Sequence, residues 1–182
     1  MTIATESHTG TTRSNPGAVT AASDQAELRR VFGHVPSGLV VVAALGSDGP
    51  VGLLASSFTS VSLDPPLVSV NIARTSTTLP VLRKADYWGV TVLGRGQRAL
   101  ADQLRRPASE RFDGTDWAAS DDGAIHLDGA VAGFRTRVDR LVPAGDHVIA
   151  LLAVHGHFVT PDVDPIVFHH SRFRLLEQEH PA

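Results

Sequence analysis

Six runs of apolar and β-branched residues, divided by turn signals and never alternating regularly with long helical segments, constrain this chain more than any other feature. The runs are Leu39–Leu45, Val51–Phe58, Leu67–Ala73, Tyr87–Leu93, Ala130–Val142 and His147–Thr160, with a shorter seventh at Pro165–His169. In Leu67–Ala73 the period of two is legible, with Val68, Val70 and Ile72 on one face and Ser69 and Asn71 on the other. Ser47-Asp48-Gly49-Pro50 and Pro143-Ala144-Gly145-Asp146 read as turns. A parallel sheet would need a crossover after each strand, and the runs show no regular alternation of strand and helix. The expectation is a mainly β chain closed into an antiparallel barrel, since closure removes the edge strands, with a few short helices outside it.

Three helices are expected. Asp24 and Glu27 form a capping box ahead of Leu28, Val31 and Phe32 at helical spacing, and Pro36 ends that helix. Thr77 or Thr78 caps a short helix through about Ala85, with Pro80 in its first turn. Gln97–Arg106 is the third, and residues 107–128 read as a long polar excursion. Residues 1–22, rich in Thr, Ser, Ala, Gly and Pro, bury too little to offset their ordering entropy and read as a disordered tail. One domain over 23–177 and a short tail over 178–182 complete the division. A chain of 182 residues suits one domain.

Composition excludes several functions. Lys+Arg 16 against Asp+Glu 19 are interspersed and give −3, which argues against nucleic-acid binding. The absence of cysteine removes disulfides, thiol catalysis, zinc–thiolate sites and iron–sulfur clusters. No apolar run approaches the roughly 18 residues that span a bilayer. The first residues lack the cationic start and apolar stretch of a signal peptide, so no membrane association and a cytoplasmic location are expected.

Several motifs invite chemistry and fail on context. Gly94-Arg95-Gly96-Gln97-Arg98-Ala99 matches the dinucleotide fingerprint G-x-G-x-x-A, but no second strand carrying an acid follows its helix, so it reads as a strand-to-helix turn. His155 and His157 share a strand face and His169-His170 are adjacent, but no third ligand stands at useful spacing, so no metal is expected. Asp146-His147 lacks a nucleophile elbow, and sequence neighbours rarely pair as base and orienter, so a hydrolase is not expected.

Two hydroxyl clusters are richer. Ser56, Ser57, Thr59, Ser60 and Ser62 crowd a strand end before the Pro65-Pro66 corner, and Ser76-Thr77-Thr78 stand at an expected helix N-terminus. Hydroxyls and free N–H groups at such bends suit a phosphate or a polyhydroxylated chain, although either cluster alone also reads as ordinary turn and cap residues.

Taken in order, Pro36-Ser37-Gly38-Leu39-Val40-Val41-Val42, Gly52-Leu53-Leu54-Ala55-Ser56-Ser57-Phe58, Ser60-Val61-Ser62-Leu63-Asp64-Pro65-Pro66-Leu67-Val68, Arg74-Thr75-Ser76-Thr77, Gly145-Asp146-His147 and Pro165-Ile166-Val167-Phe168 resemble the flavin reductase-like family. These are the short-chain reductase components of two-component flavin-dependent monooxygenases, and the resemblance covers about residues 25–176. It implies a Greek-key antiparallel split β-barrel that binds FMN or FAD at a homodimer interface. It also implies reduction of that flavin by NADH, or NADPH, and release of the reduced flavin by diffusion to a partner monooxygenase. A non-catalytic flavin-binding barrel and a flavin-bound oxygenase are the alternatives, and the resemblance leaves open which flavin and which nicotinamide are used.

Carried over by position, Leu54, Ala55, Ser56 and Ser57 would line the flavin's ribityl and ring edge, with Asn71 beside them. Arg74, Ser76 and Thr77 would hold its phosphate, and Pro36 and Ser37 would lie near the ring. His147 falls where the family has a histidine close to the nicotinamide, the one catalytic assignment. Three departures stand out: Leu54 replaces a common Thr, Thr91 replaces a common Asn, and Phe168 and Phe173 stand where Tyr is frequent.

Overall fold

The computed structural model describes residues 24–176, so the expected tails at 1–22 and 178–182 lie outside the described residues. Seven strands form one antiparallel sheet. In sheet order they are β3 (Gly49–Ala55), β2 (Val40–Gly46), β6 (Trp88–Val92), β9 (Ala132–Ala144), β10 (His147–Val159), β5 (Pro66–Ala73) and β4 (Thr59–Leu63). A smaller sheet joins β1 (Ser37–Gly38), β11 (Val167–His169) and β12 (Arg172–Arg174), and β7 (Trp117–Ala119) pairs with β8 (Ile125–Leu127).

The apolar pattern explains the layering. β2 is buried on both faces: Val40, Val42 and Ala44 join Val70, Trp88, Val90 and Leu152 in the barrel interior. Val41 and Ala43, with Leu39 just before the strand, face the other way onto Leu93, Leu104, Ile125 and Ile166. A strand covered on both sides needs an unbroken apolar run, which is what Leu39–Ala44 is. The long hairpin of β9 and β10 turns at Gly145-Asp146. Gly145 has φ +60 and Asp146 does not share the positive φ, as in a type II′ turn with glycine at its first central position.

The structure departs from the sequence expectations in five places. The seven-stranded sheet coils into a barrel but does not close: β3 and β4 are both edges and exchange no ladder bonds. The hydroxyl-rich bend contains a strand, because β4 folds back on β5 through Asp64-Pro65, whose peptide bond is cis. The excursion is less polar than its composition suggests, since Ala124, Ile125 and Leu127 on and beside β8 are buried against β2 and β6. Gly89 permits that approach, for a Cβ there would stand 1.9 Å from the Ile125 carbonyl oxygen. The first helix, α1 (Gln25–Phe32), is capped by Asp24, whose carboxylate accepts from the Ala26 N–H at 2.8 Å. Glu27 instead pairs with Arg30 at 3.6 Å, and no residue of α1 is fully buried, Leu28 being half-buried and Val31 and Phe32 exposed. Finally α2 (Leu79–Leu82) is a single turn that neither Thr77 nor Thr78 caps; the Ser76 hydroxyl accepts from the Thr78 and Leu79 N–H groups at 3.3 Å. The third helix, α3 (Arg98–Gln103), begins after one 3₁₀ turn. No helix among the described residues is long and apolar enough to cross a membrane.

Candidate functional site

The unclosed edge is where the site forms. β3 ends at Ala55 and β4 begins only at Thr59, so Asn71 on β5 lies beyond the reach of β4. Ser57 takes the place of the missing strand: its hydroxyl accepts from the Asn71 N–H at 2.8 Å and donates to the Asn71 carbonyl at 3.2 Å. A hydroxyl so engaged keeps one lone pair free. Among the described residues the backbone N–H groups of Ser56, Ser57 and Phe58 have no partner, and the Asn71 side chain is also uncommitted.

Opposite this wall stands the β9–β10 turn. His147 is in register with Ala73, and the Arg74 N–H donates to the Asp146 carbonyl at 2.9 Å, so the turn is tied to the end of β5. The His147 Nδ1 lies 2.7 Å from the Asp146 carboxylate. An ionised carboxylate only accepts, so Nδ1–H donates and Nε2 is left free. That hydrogen bond holds the Asp146 carboxyl below the usual carboxylate range. Neighbours at positions 146 and 147 do pair, contrary to the expectation drawn from spacing, because the turn brings both side chains to one side. The Asp146 carboxylate remains 91% exposed, so the pair orients a ring and does not form a buried charge relay.

These elements enclose a cleft of about 650 Å³ whose walls include Leu53–Ser57, Asn71–Ala73, Ser76, Asp146 and His147. A second cavity of about 300 Å³ shares Leu53–Ser56 and continues under Leu39, Leu104, Phe168 and Phe173, with Arg105 and Arg111 at its rim. Arg111 is held there by donating to the carbonyls of Gly52 (2.9 Å) and Arg106 (2.9 Å) and to the Thr78 hydroxyl (3.0 Å).

Of the residues singled out from sequence, Leu54, Ala55, Ser56, Ser57, Asn71, Ser76 and His147 line this cleft together. Arg74 and Thr77 are exposed and do not line it; Arg74 stands beside it, its guanidinium 3.5 Å from the Gly145 carbonyl. Pro36 and Ser37 line neither cavity, and Ser37 pairs with Phe168 in the small sheet. Thr91 is also away from the site: it is fully buried, within 3.5 Å of His126 Nδ1, and braces β8. Sequence reasoning missed Arg29 and Phe32, which α1 brings to the cleft mouth, because helical spacing marks Phe32 only as part of an apolar stripe and says nothing of Arg29.

The discarded motifs have structural roles. The Gln97 side chain accepts from the Gly94 N–H at 2.8 Å and donates to the Asp128 carbonyl at 2.7 Å, which fixes the glycine turn. His155 stands edge-on to Tyr87 at 5.4 Å. Among the described residues no three His, Asp or Glu side chains are grouped to hold a metal.

A flat, largely apolar ring with a polar edge and a polyhydroxyl tail fits this donor set. The apolar walls are Phe32, Leu53, Leu54 and Ile72, the polar donors are the N–H groups of Ser56 and Ser57, and Arg74 stands beside the cleft at the β9–β10 turn. The chain matches the flavin reductase like domain family over residues 32–177. It is 39% identical over 160 residues to an NADH:FMN oxidoreductase of Rhodococcus erythropolis, covering 85% of this chain and 81% of that one. An NADH-dependent FAD reductase of Streptomyces globisporus is 38% identical over 164 residues, covering 87% and 90%. Among solved structures, the Streptomyces globisporus NADH:FAD oxidoreductase in complex with NAD and FAD fragments superposes with a TM-score of 0.83 at 34% identity, covering 91% of this chain and all of that one. The flavin reductase component of a bacterial two-component tryptophan halogenase gives 0.77 at 33% identity, covering 86% and 100%.

Proposed function

The chain belongs to the flavin reductase like domain family, and from that premise we propose that it is an NADH-dependent flavin reductase whose reduced FAD or FMN passes to a separate flavin-dependent monooxygenase. The observation that carries the reading is the pairing of two walls across one cleft: the unpaired N–H groups of Ser56 and Ser57 on one side and a carboxylate-oriented imidazole on the other. The nicotinamide supplies a hydride and the flavin accepts it, so the protein contributes no redox group of its own.

What the chain contributes is position. The N–H groups of Ser56 and Ser57 and the remaining lone pair of Ser57 would meet the polar edge of the ring and the ribityl hydroxyls. Asn71 offers a further amide beside them. Arg74 and the uncommitted N–H groups of Thr75 and Thr77 hold the phosphate. His147, held through Nδ1 by Asp146, leaves Nε2 free to bind and orient the nicotinamide that would supply the hydride. Leu53 and Leu54 would give the contact between flavin and nicotinamide an apolar floor.

A homodimer in the cytoplasm completes the reading. Val31 (48%), Phe32 (66%) and Val35 (68%) are exposed apolar residues on and just after α1, with Phe32 lining the cleft, and a second copy covering them would supply the lid that one copy lacks. Light scattering at micromolar concentration tests this, and a monomer there refutes it. The activity is tested by following NADH absorbance with and without added flavin. Turnover that scales with added FMN or FAD is expected; flavin binding without NADH consumption would leave only a binding protein.

A further inference from the structure

Two separate segments serve one ligand in the flavin reading: Leu53–Ser57 for the ring and ribityl chain, and Arg74–Thr77 for the phosphate. No ladder joins β3 to β5, the strands from which these segments leave. What spans them is Arg111. Its Nη1 donates to the Gly52 carbonyl at 2.9 Å and to the Thr78 hydroxyl at 3.0 Å. Gly52 is the residue before Leu53 and Thr78 the residue after Thr77, so one nitrogen holds both segments where they border the site. Thr78 is buried, and among the described residues its hydroxyl has no other partner. A buried hydroxyl left alone is costly, which ties the loop to the arginine.

Arg111 is itself fixed in place. Its Nε donates to the Arg106 carbonyl at 2.9 Å. At the end of α3 the Gln103 amide donates to the Asp113 carbonyl at 2.7 Å and stands 3.3 Å from those of Glu110 and Arg111. Phe112 seats the loop against β3, for a Cβ on Gly52 would stand 2.8 Å from the Phe112 ring. A planar guanidinium can fix these three directions at once, which an ammonium on a flexible stem does not. The side chain reaches the rim of the second cavity but does not line the main cleft, so it acts through Gly52 and Thr78 and not by touching flavin.

We propose that Arg111 is a positioning residue that makes the site selective for a flavin carrying a 5′-phosphate. The bridge sets the gap between the ring-facing end of β3 and the loop of Ser76 and Thr77. FMN spans that gap and is bound at both ends. Riboflavin, which lacks the phosphate, is held at the β3 end alone and does not sense the gap. Loosening the bridge therefore removes phosphate-dependent affinity first, since a shift of about 1 Å carries a hydrogen bond out of range. The proposal rests on the flavin reductase reading and deepens it at that same site.

The test is fluorescence titration of FMN and of riboflavin with the full chain and its variants Arg111→Met, Arg111→Lys and Thr78→Val. Arg111→Met keeps the stem and loses all three hydrogen bonds. Thr78→Val keeps the side-chain shape and cuts one end of the bridge; its hydroxyl caps no helix bond, so this variant carries the test if Arg111→Met fails to fold. The FMN Kd is expected to rise about tenfold in Arg111→Met while that of riboflavin stays within about twofold, so the preference for FMN falls about fivefold. Thr78→Val should show a smaller effect of the same sign, and Arg111→Lys should recover part of the loss. Equal rises for FMN and riboflavin, which a merely weakened fold would give, overturn the proposal. Unchanged FMN affinity in Arg111→Met and Thr78→Val overturns it too, as does an unmodified chain that binds both flavins equally. In those cases NADH oxidation with added FMN leaves the flavin reductase reading standing, whereas its absence from the unmodified chain sinks that reading and this inference with it.

Discussion

Replacing Ser57 by alanine should loosen the fold and the flavin site together, in proportions that the geometry sets. The hydroxyl closes two hydrogen bonds to the Asn71 backbone, at 2.8 and 3.2 Å, where no strand exists to do so. Asn71 is exposed to the cleft, so water can reach its amide once the hydroxyl is gone. The penalty therefore falls at the low end for a lost hydrogen bond, about 1 kcal/mol, or about 2 kcal/mol if both bonds count fully. For a domain of this size each kcal/mol lowers Tm by roughly 2–4 °C, so a fall of roughly 2–8 °C is expected. Flavin affinity should drop about fivefold, because one acceptor is lost and the backbone at 55–57 is no longer held. Ser56→Ala is the control: Ser56 is exposed and makes no side-chain bond among the described residues, so its Tm should stay within about 1 °C. Thermal melts at matched protein concentration and flavin fluorescence titrations measure both quantities. A Tm for Ser57→Ala equal to that of the unmodified chain would refute the strand-substitute argument, whatever happens to flavin.

Two further outcomes follow from single side chains. His147→Ala should slow hydride transfer by up to roughly a hundredfold, raise the nicotinamide KM, leave flavin affinity near normal and add no pH dependence between pH 6 and 9. His147→Asn should recover part of the rate, and stopped-flow reduction of bound flavin checks both; rescue of the alanine variant by buffer acids alone would make His147 a proton donor and not a positioning group. Burial lowers the His126 pKa from 6.5, so the unfolded chain binds the extra proton more readily and folding stability falls as the pH drops below about 6.5. Above that value the contribution is complete, and it is lost as the pH passes down through the folded pKa. Urea melts at pH 8 and pH 5 should show a smaller acid loss in His126→Gln, and equal losses in the two proteins would show that His126 does not couple to folding.

Much of this was legible without coordinates, for local reasons. Unbroken apolar runs such as Leu39–Leu45, alternation in Leu67–Ala73 and the glycine at 145 each reflect a constraint acting over a few residues: which face is covered, and which φ a turn demands. The same locality drew attention to the hydroxyls of Ser56, Ser57 and Ser76, at a strand end and an expected helix start, whereas Leu54, Ala55 and His147 were legible only through the resemblance to the flavin reductase-like family.

What only the tertiary structure decided concerns residues distant in sequence or choices between near-equal local options. Ser57 meets Asn71 across fourteen positions, Arg98 and Arg105 meet Arg172 and Arg174 across about seventy, and Thr91 turns inward to β8 and away from the cleft. Either Ser76 or a neighbouring threonine could have capped α2; the route of the chain out of β5 selected Ser76. The stripe of Leu28, Val31 and Phe32 has the spacing of a core-facing helix, yet in a single copy Val31 and Phe32 face solvent, Phe32 at the mouth of the site. Periodicity records that a face is to be covered and says nothing about what covers it. That depends on which segments the closed loops bring together, and the free energy of those encounters belongs to the assembled sheet and not to any stretch of its sequence.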